Sequence, residues 1–205
     1  MIIRQIEVGA LGTNCYIAFE DTGKKSCVII DPGDDAGKII NVMSELGLIP
    51  AAILLTHGHF DHIGAVGGLL ERYPQIRVYA GKDENAVLQD PELNLTARIR
   101  RPQKVDVDRL LENNEIFEEA GIEFKVILTP GHTMGSVCYL VKSGNVLFSG
   151  DTLFRMSMGR TDFPTGNETQ IFESLRKLAL LPDETVVYTG HGSATTIGEE
   201  KRDNP

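Results

Sequence analysis

The sequence predicts an α/β fold, on three observations. Short apolar or alternating runs of strand length recur from end to end, interleaved with segments of helical spacing. Four of the apolar runs lead directly into a histidine or aspartate set among glycines: Ile53-Leu54-Leu55 before His57, Val126-Ile127-Leu128 before His132, Val146-Leu147-Phe148 before Asp151, and Val186-Val187-Tyr188 before His191. Loops at strand ends can converge on one edge of a sheet while the rigid strands fix their positions. Finally, 205 residues, 41% hydrophobic and 24% charged, suffice for a single domain, residues 1–205, that buries its own core.

Taken in order, Ile2 to Val8, Thr13 to Glu20 and Ser26 to Ile30 read as strands, and Asp31-Pro32-Gly33 ends the third. A helix is expected from about Asp35, with Ile39, Val42, Met43 and Leu46 on one face and Gly47 as its stop. Ala52 to Leu55 is a short buried strand. Ile63, Val66, Leu69, Leu70 and Tyr73 then recur at helical spacing, so the first histidine cluster lies in a strand-to-helix turn. Arg77 to Ala80 is expected to be a strand and Asp83 to Leu88 a short helix. Gln89 to Lys104, with Pro91, Pro102 and four basic residues near its end, reads as a surface excursion, in part helical. Strands follow near Ile122 to Leu128, Ser136 to Val141 and Val146 to Ser149. Asn167, with Gln170 three residues on, is placed to cap a helix over about Glu168 to Leu180 that turns Ile171, Leu175 and Leu178 inward. Thr185 to Tyr188 is expected as the last strand, and no internal repeat of solenoid period occurs.

The net charge of −9 repels phosphate backbones, so nucleic acid is not an expected substrate. The longest apolar runs are far too short to span a bilayer. Met1 to Gln5 shows no basic stretch followed by an apolar run, so no signal peptide is expected and a cytoplasmic enzyme is the simplest assignment. Cys15, Cys27 and Cys138 lack any C-x-x-C spacing and sit among strand-like apolar residues, which predicts buried, reduced thiols.

The chemistry lies in the histidines. Three of the five fall in Thr56-His57-Gly58-His59-Phe60-Asp61-His62, and the others in Pro130-Gly131-His132-Thr133 and Thr189-Gly190-His191-Gly192. With Asp61 and Asp151 they make seven candidate ligands, whereas one divalent ion usually takes about four to six. Two ions sharing one carboxylate would use all seven. His57 and His59, two apart in a tight turn, can face one ion, and Asp61 and His62 are better placed for a neighbour. His132 and His191 are left to complete the two sets, and the two oxygens of Asp151 can bridge. Any one histidine alone is more often a surface or core residue, but the placement of all five beside Gly or Asp after strands has little reason except metal. A water bridging two such ions would lose a proton near neutral pH and attack an electron-poor carbonyl or phosphorus, with Asp61 orienting it. No Gly-x-Ser-x-Gly elbow is present. Structural zinc prefers closed cysteine-rich sets, so this set favours catalysis; zinc is expected, with iron and manganese as the other candidates.

The Thr-His-x-His-x-Asp-His segment with its separate His, Asp and His resembles the metallo-β-lactamase superfamily, as do Thr13-Asn14-Cys15-Tyr16 and Ile30-Asp31-Pro32-Gly33. The resemblance implies a four-layer αββα sandwich with the metals at one edge. It also implies one ion held by His57, His59 and His132, the other by Asp61, His62 and His191, and Asp151 between them. Within the superfamily the chain is similar to short glyoxalase II-like hydrolases. This similarity lies in Gly150-Asp151-Thr152-Leu153-Phe154, Gly159-Arg160-Thr161-Asp162-Phe163-Pro164, Gly190-His191-Gly192, Thr196 to Glu200 and Asn204-Pro205. It implies hydrolysis of S-D-lactoylglutathione or a related acyl thioester. Only fourteen residues follow His191, so the separate C-terminal substrate-binding domain of full-length glyoxalase II is not expected. Arg160 stands where the longer enzymes carry a lysine and would hold a substrate carboxylate or amide, or else pair with Asp162. The alternatives are a mononuclear iron sulfur dioxygenase using His57, His132 and Asp151, or a lactonase of the same fold.

Overall fold

The computed structural model describes residues 1–21, 23 and 25–204. Along the chain run β1 (Ile2–Val8), β2 (Thr13–Phe19), β3 (Ser26–Ile30), α1 (Ala36–Glu45), β4 (Ile49–Leu54), α2 (Phe60–Ile63), α3 (Val66–Arg72), β5 (Arg77–Gly81), α4 (Glu84–Leu88) and β6 (Arg109–Leu111). The six strands form one sheet in sequence order, antiparallel from β1 to β3 and parallel from β3 to β6. The second half supplies β7 (Ile116–Glu119), β8 (Ile122–Leu128), β9 (Val137–Val141), β10 (Val146–Gly150), a small hairpin of β11 (Leu153–Phe154) and β12 (Ser157–Met158), α5 (Glu168–Leu178), β13 (Val186–Thr189), β14 (Thr195–Thr196) and α6 (Ile197–Asp203). Its sheet has the order β14-β13-β10-β9-β8-β7, with β10 and β13 parallel and the other pairs antiparallel.

Period-two alternation sorts the apolar side chains into layers. On β2 to β4, Tyr16, Ala18, Val28, Ile30, Ala52 and Leu54 face the other sheet and meet Phe124, Val126, Val137, Tyr139 and Phe148. Their neighbours Cys15, Ile17, Cys27, Ile29 and Ile53 face outward onto Ile39 and Met43 of α1 and Val66 and Leu69 of α3. On the far side, Cys138, Leu140, Leu147 and Val187 pack under Leu178 of α5 and Ile197 of α6. Helix, sheet, sheet and helix thus follow one another, which is the four-layer αββα arrangement the resemblance implied. All three cysteines are free and buried. No helix among the described residues is long and apolar enough to cross a membrane.

Several boundaries differ from the sequence expectation. On α1, Ile39 and Met43 are buried, but Leu46 lies beyond the helix end and is exposed. The helical pattern from Ile63 to Tyr73 is broken into α2 and α3, because Gly64 closes on the Gly33 carbonyl and the Ala65 N–H donates to Pro32. Gln89 to Lys104 forms turns without a helix. It is not wholly at the surface, since Asn94, Leu95 and Thr96 are buried and the Asn94 amide donates to the Gln103 carbonyl at 2.9 Å. Thr185 to Tyr188 is not the last strand: β14 pairs with it, and Thr196 then caps α6 by accepting from the Glu199 N–H. The cap on α5 is as expected, Asn167 Oδ1 accepting from the Gln170 N–H at 3.0 Å. In the ending Asn204-Pro205, Pro205 lies outside the described residues.

Candidate metal centre

The seven residues singled out by sequence converge where β4, β8, β10 and β13 end. His57, His59, Asp61 and His62 come from the turn after β4 and from α2. His132, Asp151 and His191 come from loops of the other sheet. His57, His59 and His132 lie close enough to share an ion, and so do Asp61, His62 and His191. Asp151 stands between the groups: its Oδ2 is 3.7 Å from His132 Nε2 and 3.6 Å from His191 Nε2, and its Oδ1 is 3.3 Å from His62 Nε2. In the second group, Asp61 Oδ2 lies 3.1 Å from His191 Nε2 and 3.6 Å from His62 Nε2.

The hydrogen bonds behind the rings decide which nitrogen faces inward. His132 Nδ1 is 2.7 Å from the Arg160 carbonyl, which can only accept, so Nδ1 carries the proton and Nε2 presents a lone pair. His62 Nδ1 is 3.0 Å from Asp31 Oδ2 and donates in the same way. The Thr56 hydroxyl spends its proton on Asp31 Oδ2 at 2.6 Å and therefore accepts from His57 Nδ1 at 3.2 Å. Asp31, His57 and His62 are also close enough to form a ligand group. Asp31, however, is engaged by the Thr56 N–H, the Thr56 hydroxyl and the back of the His62 ring, which makes it a support for ligands.

Four buried atoms, His57 Nε2, His59 Nε2, His62 Nε2 and Asp151 Oδ1, have no hydrogen-bond partner among the described residues. The 3.3 Å between His62 Nε2 and Asp151 Oδ1 lacks hydrogen-bond alignment. Orphaned buried polar atoms are costly, and four among these seven residues call for partners that the described residues do not supply. His59 Nδ1 and His132 Nε2 also face each other at 2.9 Å. A donor set of five imidazoles and two carboxylates fits divalent cations of the zinc, iron and manganese kind. The electrostatics agree. Burial, followed by the neighbouring imidazoles, lowers His57, and burial with His132 brings His59 down to about 3, so both rings are neutral and ready to ligate. Burial also works to lower His62, but Asp151, Asp61 and Asp31 overcome it and carry it well above the ordinary histidine value. Carboxylates that draw a proton to that spot will draw a metal cation as well.

Close approach is built into the backbone. A Cβ on Gly190 would collide with the Asp151 carboxylate, and Gly150, at φ +50°, holds a conformation that side chains disfavour. Asn14 locks the His191 loop: its N–H donates to the Gly190 carbonyl at 2.7 Å and its amide to the Gly192 carbonyl at 2.9 Å. One supporting residue escaped the sequence reading. Glu84 is fully buried and accepts from the Gly58 N–H at 2.7 Å, the Thr133 hydroxyl at 2.8 Å and the Gly135 N–H at 3.0 Å. It joins the His57–His59 turn to the His132 loop, and burial raises it to about 7. In sequence it is an acid opening a short helix, a pattern normally found at the surface, and nothing in the spacing shows targets 26 to 51 residues away.

The ligands open into a cavity of about 510 Å³ whose other walls include Leu11, Phe60, Leu95, Phe154, Met158, Arg160 and Phe163. Arg160 lies at its rim with the guanidinium clamped on Asp162 by two 2.6 Å bonds and stacked 4.0 Å over Phe163.

Residues 8–191 match the model of the metallo-β-lactamase superfamily. The chain is 36% identical to the hydroxyacylglutathione hydrolase GloC of Haemophilus influenzae, over all of this chain and 97% of that protein. Among solved structures, the BLEG-1 B3 metallo-β-lactamase is 42% identical with a TM-score of 0.93, over 100% and 98% of the two chains. TTHA1623, solved in a di-iron-bound form, is 39% identical with a TM-score of 0.87, over 98% of each. Motif, layered fold and paired ligand groups agree with these matches, and the chain belongs to the metallo-β-lactamase superfamily as a metal-dependent hydrolase.

Proposed function

We propose that this chain is a glyoxalase II-like thioesterase that hydrolyses S-D-lactoylglutathione or a related acyl thioester, with residues 1–205 acting as one catalytic domain. The observation that carries the reading is the pair of three-ligand groups with Asp151 between them. His57, His59 and His132 would hold one ion, Asp61, His62 and His191 the other, and Asp151 both; zinc is the first choice and iron or manganese the alternatives. When bound, such ions lower the pKa of water towards neutrality and polarise a carbonyl oxygen.

The chain's own groups do the rest. Thr13 donates to Asp61 Oδ2 at 3.0 Å, which leaves Oδ1 to accept a hydrogen bond from the attacking water and aim its lone pair. Leu11, Phe60, Leu95 and Phe163 keep bulk solvent from the acyl group. Among the described residues, Arg160 is the only titratable side chain lining the cavity apart from the ligands, and none of them is an acid placed to protonate a leaving group. A thiolate, with a pKa near ~8.5, can leave without that help, whereas an amine cannot. Arg160 would meet a substrate carboxylate or amide at the rim, in competition with Asp162. The substrate on this reading is a small molecule met in the cytoplasm, with neither nucleic acid nor membrane involved, and three free thiols suit a reducing compartment.

The test is elemental analysis of the purified protein, paired with hydrolysis of lactoylglutathione, other thioesters, a lactone and a β-lactam before and after chelation. Two metals per chain with chelator-sensitive thioester cleavage is expected. One iron per chain, oxygen uptake and no hydrolysis would give the site to the dioxygenase reading.

A further inference from the structure

One wall of the metal-ligand cavity is held in a strained conformation. Leu95 is 2% exposed and lines the cavity, with its backbone at φ +67°. That left-handed conformation suits glycine and asparagine and is an outlier for a bulky side chain. Nine non-glycine residues among those described have positive φ, and Leu95 is the only one of them that lines this cavity. The residues on either side hold it there. Asn94 is fully buried; its Oδ1 accepts from the Thr96 N–H at 3.0 Å and the Thr96 hydroxyl at 2.6 Å, and its amide donates to the Gln103 carbonyl at 2.9 Å. The Gln103 N–H donates in turn to the Thr96 hydroxyl at 2.9 Å. The Gln103 amide donates to the Ile63 carbonyl at 3.0 Å, on the helix that carries Asp61 and His62. Three residues after Leu95, the Arg98 guanidinium lies 5.6 Å from the ring centroid of Phe163, another wall residue. Strain of this kind persists only where the surroundings over-determine it, and it gathers at functional sites.

We propose, resting on the thioesterase reading, that Leu95 is a specificity-determining residue: a fixed wall that limits the acyl group to short chains. Asn94 and Thr96 are the positioning residues that hold it. Leu95 is buried, whereas Arg160 sits at the exposed rim, so the acyl group, which ends inside the cavity, is the part of the substrate that meets Leu95. A wall on a mobile loop would swing aside for a longer chain and select weakly. Leu95 cannot, because its segment is tied through Gln103 to a ligand-bearing helix and its neighbours are buried in their own hydrogen-bond network. A growing acyl chain therefore gains affinity, about fourfold per buried methylene, until it reaches Leu95, and beyond that length the gain is lost.

Product binding tests the wall apart from turnover. The probes are straight-chain carboxylates from propanoate to octanoate, the acids that the corresponding acyl thioesters release, titrated calorimetrically into the zinc-loaded protein. Wild-type affinity is expected to climb with chain length and then break. Leu95→Ala should move the break to longer chains, so that an acid just past the wild-type break gains about tenfold in affinity. Leu95→Gly should move it likewise. Because glycine takes φ +67° freely, Leu95→Gly should also unfold at no lower denaturant concentration than Leu95→Ala, the reverse of the usual order. Ile99→Ala, in the same segment but outside this cavity, should leave the break in place. A leucine with a merely structural role would weaken every acid alike. Absence of binding, no break up to octanoate, a break unmoved in both Leu95 variants or moved equally by Ile99→Ala, or a Leu95→Gly less stable than Leu95→Ala would each overturn the proposal. N-acetylcysteamine thioesters of the same acids test the thioesterase reading separately: if none is hydrolysed while the break still moves with Leu95, that reading fails and the wall stands.

Discussion

Asp31 and Glu84 show how buried carboxylates can build a metal site without holding the metal. Asp31 fixes His62 from behind and Glu84 ties two ligand loops, each using oxygens that are saturated by donors of this chain. Asp61 differs, because only Oδ2 is bound to a protein donor. Asp61→Asn keeps its size while removing its charge, so circular dichroism should show the fold intact and turnover should drop about 10²–10⁴-fold; full activity would remove Asp61 from its proposed role. Glu84→Gln is a sharper probe of support. The amide nitrogen would face the Gly135 N–H, leaving a buried donor without a partner at a cost of about 1–3 kcal/mol. The pH dependence has a defined sign. Glu84 titrates at about 7 in the fold against an ordinary 4.5, so between those values the folded state holds the extra proton. Its contribution to stability is complete below 4.5 and declines as pH rises to 7, by on the order of 3 kcal/mol. Denaturant titrations of wild type minus Glu84→Gln across this window should show that decline, and a flat difference would contradict it. The seven ligands were legible because their chemistry is carried by residue type and by position after strands. The supports were not, because Asp and Glu look alike in sequence whether they bind water or three buried donors.

At the scale of elements, α5 acts as a clamp on the loop that carries His132. The Asn167 N–H donates to the Gly131 carbonyl at 2.8 Å, Ser174 to the Pro130 carbonyl at 2.8 Å, and Lys177 to the Leu128 carbonyl at 3.0 Å. The cap at Asn167 therefore holds both a helix and a ligand loop. Asn167→Ala removes the capping side chain but keeps the backbone N–H that holds Gly131, so it should lower unfolding free energy by about 1 kcal/mol, measured by denaturant, and leave metal binding unchanged. This helix was legible because its cap and its apolar stripe agree. Three-residue β6 and two-residue β14 were not, since neither spans enough residues to show a period; they exist because neighbouring strands pair with them. β7 alternates exposed Ile116 and Glu118 with buried Phe117 and Glu119, a strand signal obscured by its two glutamates. Glu119 is buried there because Arg77 and Tyr79 both donate to it at 2.6 Å.

For the molecule as a whole, the decisive fact is that each ligand group draws from both sheets. His57 and His59 follow β4 of the first sheet and His132 follows β8 of the second; Asp61 and His62 likewise face His191. Ions bound there would staple the sandwich at one edge. The staple has company: Val137 N–H donates to the Thr56 carbonyl at 2.9 Å, Tyr139 hydroxyl to the Leu55 carbonyl at 2.8 Å, and Tyr16 hydroxyl to the Thr189 carbonyl at 2.7 Å. With those bonds and the apolar layer between the sheets in place, the metal-free protein should stay folded, with lower stability. Free metal at a hundred times its Kd adds about 2.7 kcal/mol per site, since it binds the native state and not the unfolded chain. With two sites, chelation should therefore lower the thermal midpoint by on the order of ten degrees while leaving one cooperative transition. His57→Ala, on the first sheet, and His191→Ala, on the second, should each erase part of the metal-dependent increment. A midpoint indifferent to chelator, in protein shown by elemental analysis to have lost its metal, would mean that the ions do not join the sheets and that the sandwich alone holds the seven ligands together.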